Sequence, residues 1–198
     1  MKLKNLTLAA GVLAAAILPN LAHAGTANVA RGETKVFLST QFVSALGSLG
    51  VKPGAVGPGT LYKGTATFPI TVGIADLTNT YVDIGHAGGL SLTAGATKVT
   101  LVNFQIEVLK GGTPSITGIV TVNGAIVGRL SLFDLDLSKA SVYQPNKETL
   151  AIQNVTVTLD PTAAGALNGV FNVTALAGGF PIGSASVFTF TYTPRCVE

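Results

Sequence analysis

Imidazole, thiol and closely spaced carboxylates are the groups in this 198-residue sequence with chemistry to offer, and they are few. His86 lies in the run Tyr81-Val82-Asp83-Ile84-Gly85-His86-Ala87-Gly88-Gly89-Leu90, flanked on both sides by glycine. Glycines at Gly85, Gly88 and Gly89 keep side chains away from the ring and let a flat ligand or another backbone approach it. A histidine at a strand end beside a glycine bulge is the structural alternative. Asp134 and Asp136, two apart, would share one face of a strand and could contribute to a calcium site. They equally suit the solvated side of a half-buried strand whose other face is Phe133, Leu135 and Leu137. Cys196 is the only cysteine, so it is either an unpaired thiol or one end of an intermolecular disulfide in an oxidising compartment.

These groups do not assemble into catalytic sets. Nucleophilic catalysis needs a base beside its nucleophile, and Gly47-Ser48-Leu49-Gly50 lacks the first glycine of a Gly-x-Ser-x-Gly elbow. Outside the first 24 residues, which hold His23, one histidine and one cysteine 110 positions apart make no zinc site. The nine acidic residues are scattered, and without tryptophan there is no sign of a sugar platform. The sequence therefore predicts a protein that is not an enzyme and holds no metal site.

The first 24 residues predict a cleaved signal peptide. Lys2 and Lys4 precede the uncharged run Leu6 to Leu18, and Pro19 leads into the small-x-small signal Ala22-His23-Ala24. That run is shorter than the ~20 residues a membrane helix needs, so the prediction is export without a membrane span, to the periplasm, cell surface or extracellular space. Losing Lys2 and Lys4 lowers the formal net charge from +3 to +1. With no Lys/Arg cluster left, nucleic acid is not an expected partner. The expected partners are a small-molecule ligand or a surface protein, with the oligomeric state open.

Residues 25–198 are predicted to form one all-β domain, an antiparallel sandwich or barrel with one or two short helices. Leu38, Phe42, Ala45, Leu46 and Leu49 recur at helical spacing, which predicts a helix over 34–49. A Gly/Pro-rich loop follows over 50–59, and strands over 64–193. Thr100, Val102, Phe104, Ile106 and Val108 alternate with a more polar set and predict a core face. Asn123-Gly124 fits a type I′ hairpin turn between two strand-forming runs. A second helix should start at Asp160, as N-cap, with Pro161 in its first turn, and stop at Gly169. The aromatic content of 7%, without tryptophan, argues against the girdles of an outer-membrane barrel.

The order of landmarks carries a resemblance. Gly85-His86-Ala87-Gly88-Gly89, the strand around Val99 to Val108, Phe133-Asp134-Leu135-Asp136-Leu137, Asp160-Pro161 and Gly183 together resemble the HtaA-type haem-binding domain over roughly 62–190. The resemblance implies haem as cofactor, with His86 supporting an axial tyrosine on the iron. The segment that would carry that tyrosine holds Phe42 instead. Tyr62 and Tyr81 are the candidates to replace it, beside His86, Gly85, Gly88 and Gly89. The resulting expectation is an exported, non-enzymatic binding protein with haem as the named ligand; the alternative is a structural or adhesive surface module without a small-molecule ligand.

Overall fold

A computed structural model describes residues 26–146 and 148–192; the predicted leader and Cys196 lie outside them. In chain order the elements are β1 (Ala27–Leu38), α1 (Thr40–Ser48), β2 (Lys52–Val56), β3 (Thr60–Tyr62), β4 (Thr65–Asp76), β5 (Tyr81–His86) and β6 (Gly89–Ala94). They continue as β7 (Thr97–Val108), β8 (Ser115–Val122), β9 (Ala125–Asp136), β10 (Ser141–Asn146), β11 (Thr149–Leu159), α2 (Pro161–Phe171) and β12 (Pro181–Tyr192).

The strands close on themselves. The path β7-β5-β4-β1-β12-β11-β9-β8 returns to its start because β8 also pairs with β7, giving an eight-stranded antiparallel barrel. The predicted all-β class is thus a barrel rather than a sandwich. Outside the ring, β3 lies on β4 and β10 on β11. The first strand pairs with the last, from Asn28 opposite Tyr192 to Leu38 opposite Gly183. β7 has two neighbours on one edge: its second half pairs with β5, while its first half pairs with β6, which carries β2 outward.

Apolar residues fill the ring, among them Ile84, Val99, Leu101, Leu150 and Val157. Phe68 and Phe104 meet edge to face at 4.9 Å, a geometry worth about 1 kcal/mol beyond the area it buries. An outer-membrane barrel has the reverse arrangement, with its apolar band outside.

Three sequence expectations fail, wholly or in part, for identifiable reasons. Thr34 to Leu38 continues β1 instead of opening a helix, because Thr34 and Val36 alternate inward with Glu33, Lys35 and Phe37. The helix begins only after Ser39, whose hydroxyl accepts from the Phe42 N–H at 3.0 Å and donates to the Pro181 carbonyl at 2.7 Å. The loop expected at 50–59 contains β2, for its Gly54 carries no side chain against Ser91 of the paired strand β6. The core face expected along β7 is right for Phe104, Ile106 and Val108, but nearer the start of the strand Val99 and Leu101 are the buried residues. Asn103, with φ of +52°, sits at a register shift that reverses the alternation.

The Asn123-Gly124 turn forms as expected, with both residues at positive φ between paired Val122 and Ala125. Asp160 caps α2, accepting from the N–H groups of Thr162 and Ala163 at 2.7 and 3.0 Å. That helix passes Gly169 and ends at Asn172, which takes the left-handed conformation.

Candidate functional site: an enclosed cavity at one end of the barrel

An eight-stranded barrel is just wide enough for its side chains to fill it or to hold one small ligand. This one retains a cavity of about 100 Å³. Its deep wall is built by β7 and β8 through residues such as Leu101, Phe104, Ile106, Ile116 and Val120. Phe42 of α1 and Ala166, Leu167 and Val170 of α2 cover one end, with Pro53 and Leu90 beside them. Pro53 and Ala166 are also exposed, so the cavity meets solvent between β2 and α2. The only polar residues on the wall are Thr34 and His86.

His86 ends β5 pointing inward and is 5% exposed. Its Nδ1 lies 3.2 Å from the Phe104 carbonyl and its Nε2 2.7 Å from the Thr34 hydroxyl. A carbonyl can only accept, so Nδ1 carries the proton; Nε2 must then accept from Thr34. Burial drives the imidazole from its ordinary 6.5 down to about 4, against smaller opposing contributions from the Phe104 and Ile84 carbonyls. The ring is therefore neutral at physiological pH, with both nitrogens engaged.

This arrangement gives a pH test. The unfolded chain binds the His86 proton near pH 6.5 and the folded chain near pH 4. Between those values the unfolded state holds more protons, so the contribution of His86 is complete above about 6.5 and is lost as the pH falls toward 4. At ~1.4 kcal/mol per pKa unit the loss is at most about 3 kcal/mol. Urea unfolding at pH 4.5 and 7.5 should show this slope in wild type and a shallower one in His86→Asn; equal slopes would refute it.

The structure separates the remaining candidates from His86. Tyr81 shares β5 with it but lies on the opposite face by strand alternation, and does not line the cavity. Tyr62 is 69% exposed on β3, with the Lys63 ammonium 5.3 Å from its ring centre, and is equally absent from the wall. Gly85 shares the outward face with Tyr81. Gly88 and Gly89 make room for backbone: a Cβ at Gly88 would fall 2.2 Å from the Gly59 nitrogen, and one at Gly89 1.9 Å from the Leu101 carbonyl oxygen.

Asp134 and Asp136 do not form a cation site with a third ligand; among the described residues no group of three or more His, Cys, Asp or Glu could hold a metal ion. Partial burial and the nearby Asp160 charge raise the Asp134 carboxyl. Asp136 accepts from the Ser138 N–H at 2.8 Å, which lowers its own. The sequence reading missed Thr34 and the α2 side chains of the wall. Alternation of Thr34, Val36 and Leu38 was the available signal for the first, whereas nothing in α2 distinguishes residues covering a cavity from ordinary core.

Fold and site together define a closed antiparallel barrel enclosing an apolar cavity under two helices. The C-terminal domain of HtaA from Corynebacterium glutamicum has this fold, with a TM-score of 0.64 at 14% identity over 84% of this chain and 99% of that domain. The N-terminal domain of the same protein matches with a TM-score of 0.61 at 11% identity, over 83% and 99%. At these identities the likeness is one of fold. No protein-family model matches the sequence, and no curated protein is significantly similar to it.

Proposed function

We propose that the protein is a non-enzymatic binding protein that encloses a small, largely apolar ligand in its barrel. The observation that carries this reading is the cavity: an interior with carbon walls, reached between Pro53 and Ala166 and free of paired catalytic groups. The predicted leader supports export as the setting.

Haem is the ligand that the sequence resemblance names, and the fold shared with the HtaA domains supports testing it first. The interior offers haem apolar surroundings and a neutral imidazole. It does not offer a free iron donor, because Thr34 occupies Nε2 of His86, Phe42 cannot coordinate, and Tyr62 and Tyr81 lie elsewhere. Among the described residues, no cationic side chain lines the cavity for the propionates. The residues present do not fit an iron-ligated haem, and the ligand class is the wider one of neutral apolar molecules.

Titration with N-phenyl-1-naphthylamine, an uncharged fluorescent probe, should saturate near one equivalent. Hemin added in parallel should give no Soret band of ligated iron. Non-saturable probe fluorescence would overturn the proposal. It would also favour the adhesive alternative, which has an observation of its own: Tyr143, Phe188, Phe190 and Tyr192 stand exposed on the outside of β10 and β12.

A further inference from the structure

We infer that the cavity accepts a hydrocarbon chain end-on, the tail of a single-chain lipid whose head group stays outside at the opening. This rests on the binding reading above and narrows its ligand class. Three observations carry it.

The polar atoms of the wall are already satisfied by one another. Thr34 donates to His86 and His86 donates to the Phe104 carbonyl, and no buried side-chain nitrogen or oxygen among the described residues lacks a partner. A hydroxyl, ester or carboxylate taken deep into the barrel would lose its water and gain nothing in exchange, a penalty that is severe for an ionised group. The enclosed part of the ligand must therefore be hydrocarbon.

The space is a small apolar sack. The space of about 100 Å³ runs from exposed Pro53 and Ala166 to buried Ile106 and Ile116. A dry apolar cavity of ~150 Å³ is known to take up benzene, so voids of this order do bind apolar molecules. A chain needs less cross-section than a broad flat ligand such as a macrocycle.

The covering side chains can adjust. Phe42, Leu167 and Val170 are only partly buried and belong to two short helices, whereas the deep wall belongs to the closed ring. Lengthening the sack toward the opening therefore displaces helix side chains and leaves the strand ladder intact.

The test displaces N-phenyl-1-naphthylamine from the purified protein with 1-hexadecanol and, separately, with palmitate. Both should displace it at about one equivalent, since they share the chain and differ only in the head. Ala166→Trp places a large ring at the exposed opening, and Ile116→Phe fills the depth; each should weaken chain binding about tenfold or more while the circular dichroism spectrum stays that of the wild type. If the probe saturates but neither chain displaces it, the inference fails and the binding reading stands. If the probe itself does not saturate, both fail. Displacement that neither variant weakens would place the chain on the outer surface and likewise overturn the inference.

Discussion

Gly89→Ala is expected to cost ~4 kcal/mol or more, at the extreme of single substitutions. A Cβ at this position would lie 1.9 Å from the Leu101 carbonyl oxygen and 2.7 Å from the Val102 Cα. Both are backbone atoms of β7, and Gly89 stands opposite Val102 in the ladder, so no side-chain rotation relieves the clash. β6 must part from β7, and β2, which hangs on β6, must move with it. At ~2–4 °C per kcal/mol for a chain of this length, the midpoint of thermal unfolding should fall by roughly 10 °C. Gly165→Ala is the matched control, since it lies on the exposed side of α2 with nothing within 4 Å of a built Cβ. There alanine should be neutral or stabilise by up to about 1 kcal/mol. A loss below ~1 kcal/mol at Gly89 would mean that β6 and β7 are not packed as described.

The second large effect is a gain. The resemblance implies an axial tyrosine in the segment that here holds Phe42, and the structure puts this phenylalanine on the cavity wall at the covered end. Phe42→Tyr should therefore convert a protein without an iron-ligand spectrum into one that binds hemin saturably, with the ferric high-spin signature of a phenolate ligand. Phe42→Leu, which alters packing without supplying a donor, should not. If the tyrosine variant resembles wild type, position 42 does not stand where the family's axial ligand stands, or the barrel does not widen enough for the macrocycle.

Most of the barrel was legible because strands announce themselves locally. Runs rich in Val, Ile and Thr between Gly and Asn mark the strand-rich stretch from residue 64 onward, and Asn123-Gly124 marks the hairpin that forms with positive φ at both residues. What escaped were features that depend on a partner far along the chain. The end of β1, Thr34 to Leu38, looks like the start of the helix because Leu38 falls four positions before Phe42 of α1; pairing with β4 and β12 on both edges decides otherwise. The bulge at Asn103 is likewise invisible to a period-two reading, although an asparagine among β-branched residues is the type that tolerates a left-handed backbone.

The site was half legible. Glycines around a histidine pointed to a residue that lines the cavity, but for a reason that holds only in part, since Gly88 and Gly89 admit neighbouring backbone rather than ligand. Tyr81 is kept off the cavity wall by a fact the sequence does contain, its separation from His86 by five positions, an odd number that puts the two on opposite faces once β5 is known to run unbroken from one to the other. Thr34 could not be linked to His86, 52 positions away, without the fold.

The pairing of β1 with β12 sets the order in which this molecule can be completed. A chain emerging from its N-terminus makes the strand that needs the most distant partner first and that partner last. Until Pro181–Tyr192 arrives, one edge of β1 has nothing to bond and the apolar interior has no final wall. Contacts of such long sequence separation close slowly because the loop entropy is lost before the pairing compensates for it. Closure of the barrel thus waits on a pairing between the two ends of the described chain, and until it forms β1 and β12 each present a bare edge of the kind that pairs with neighbouring molecules.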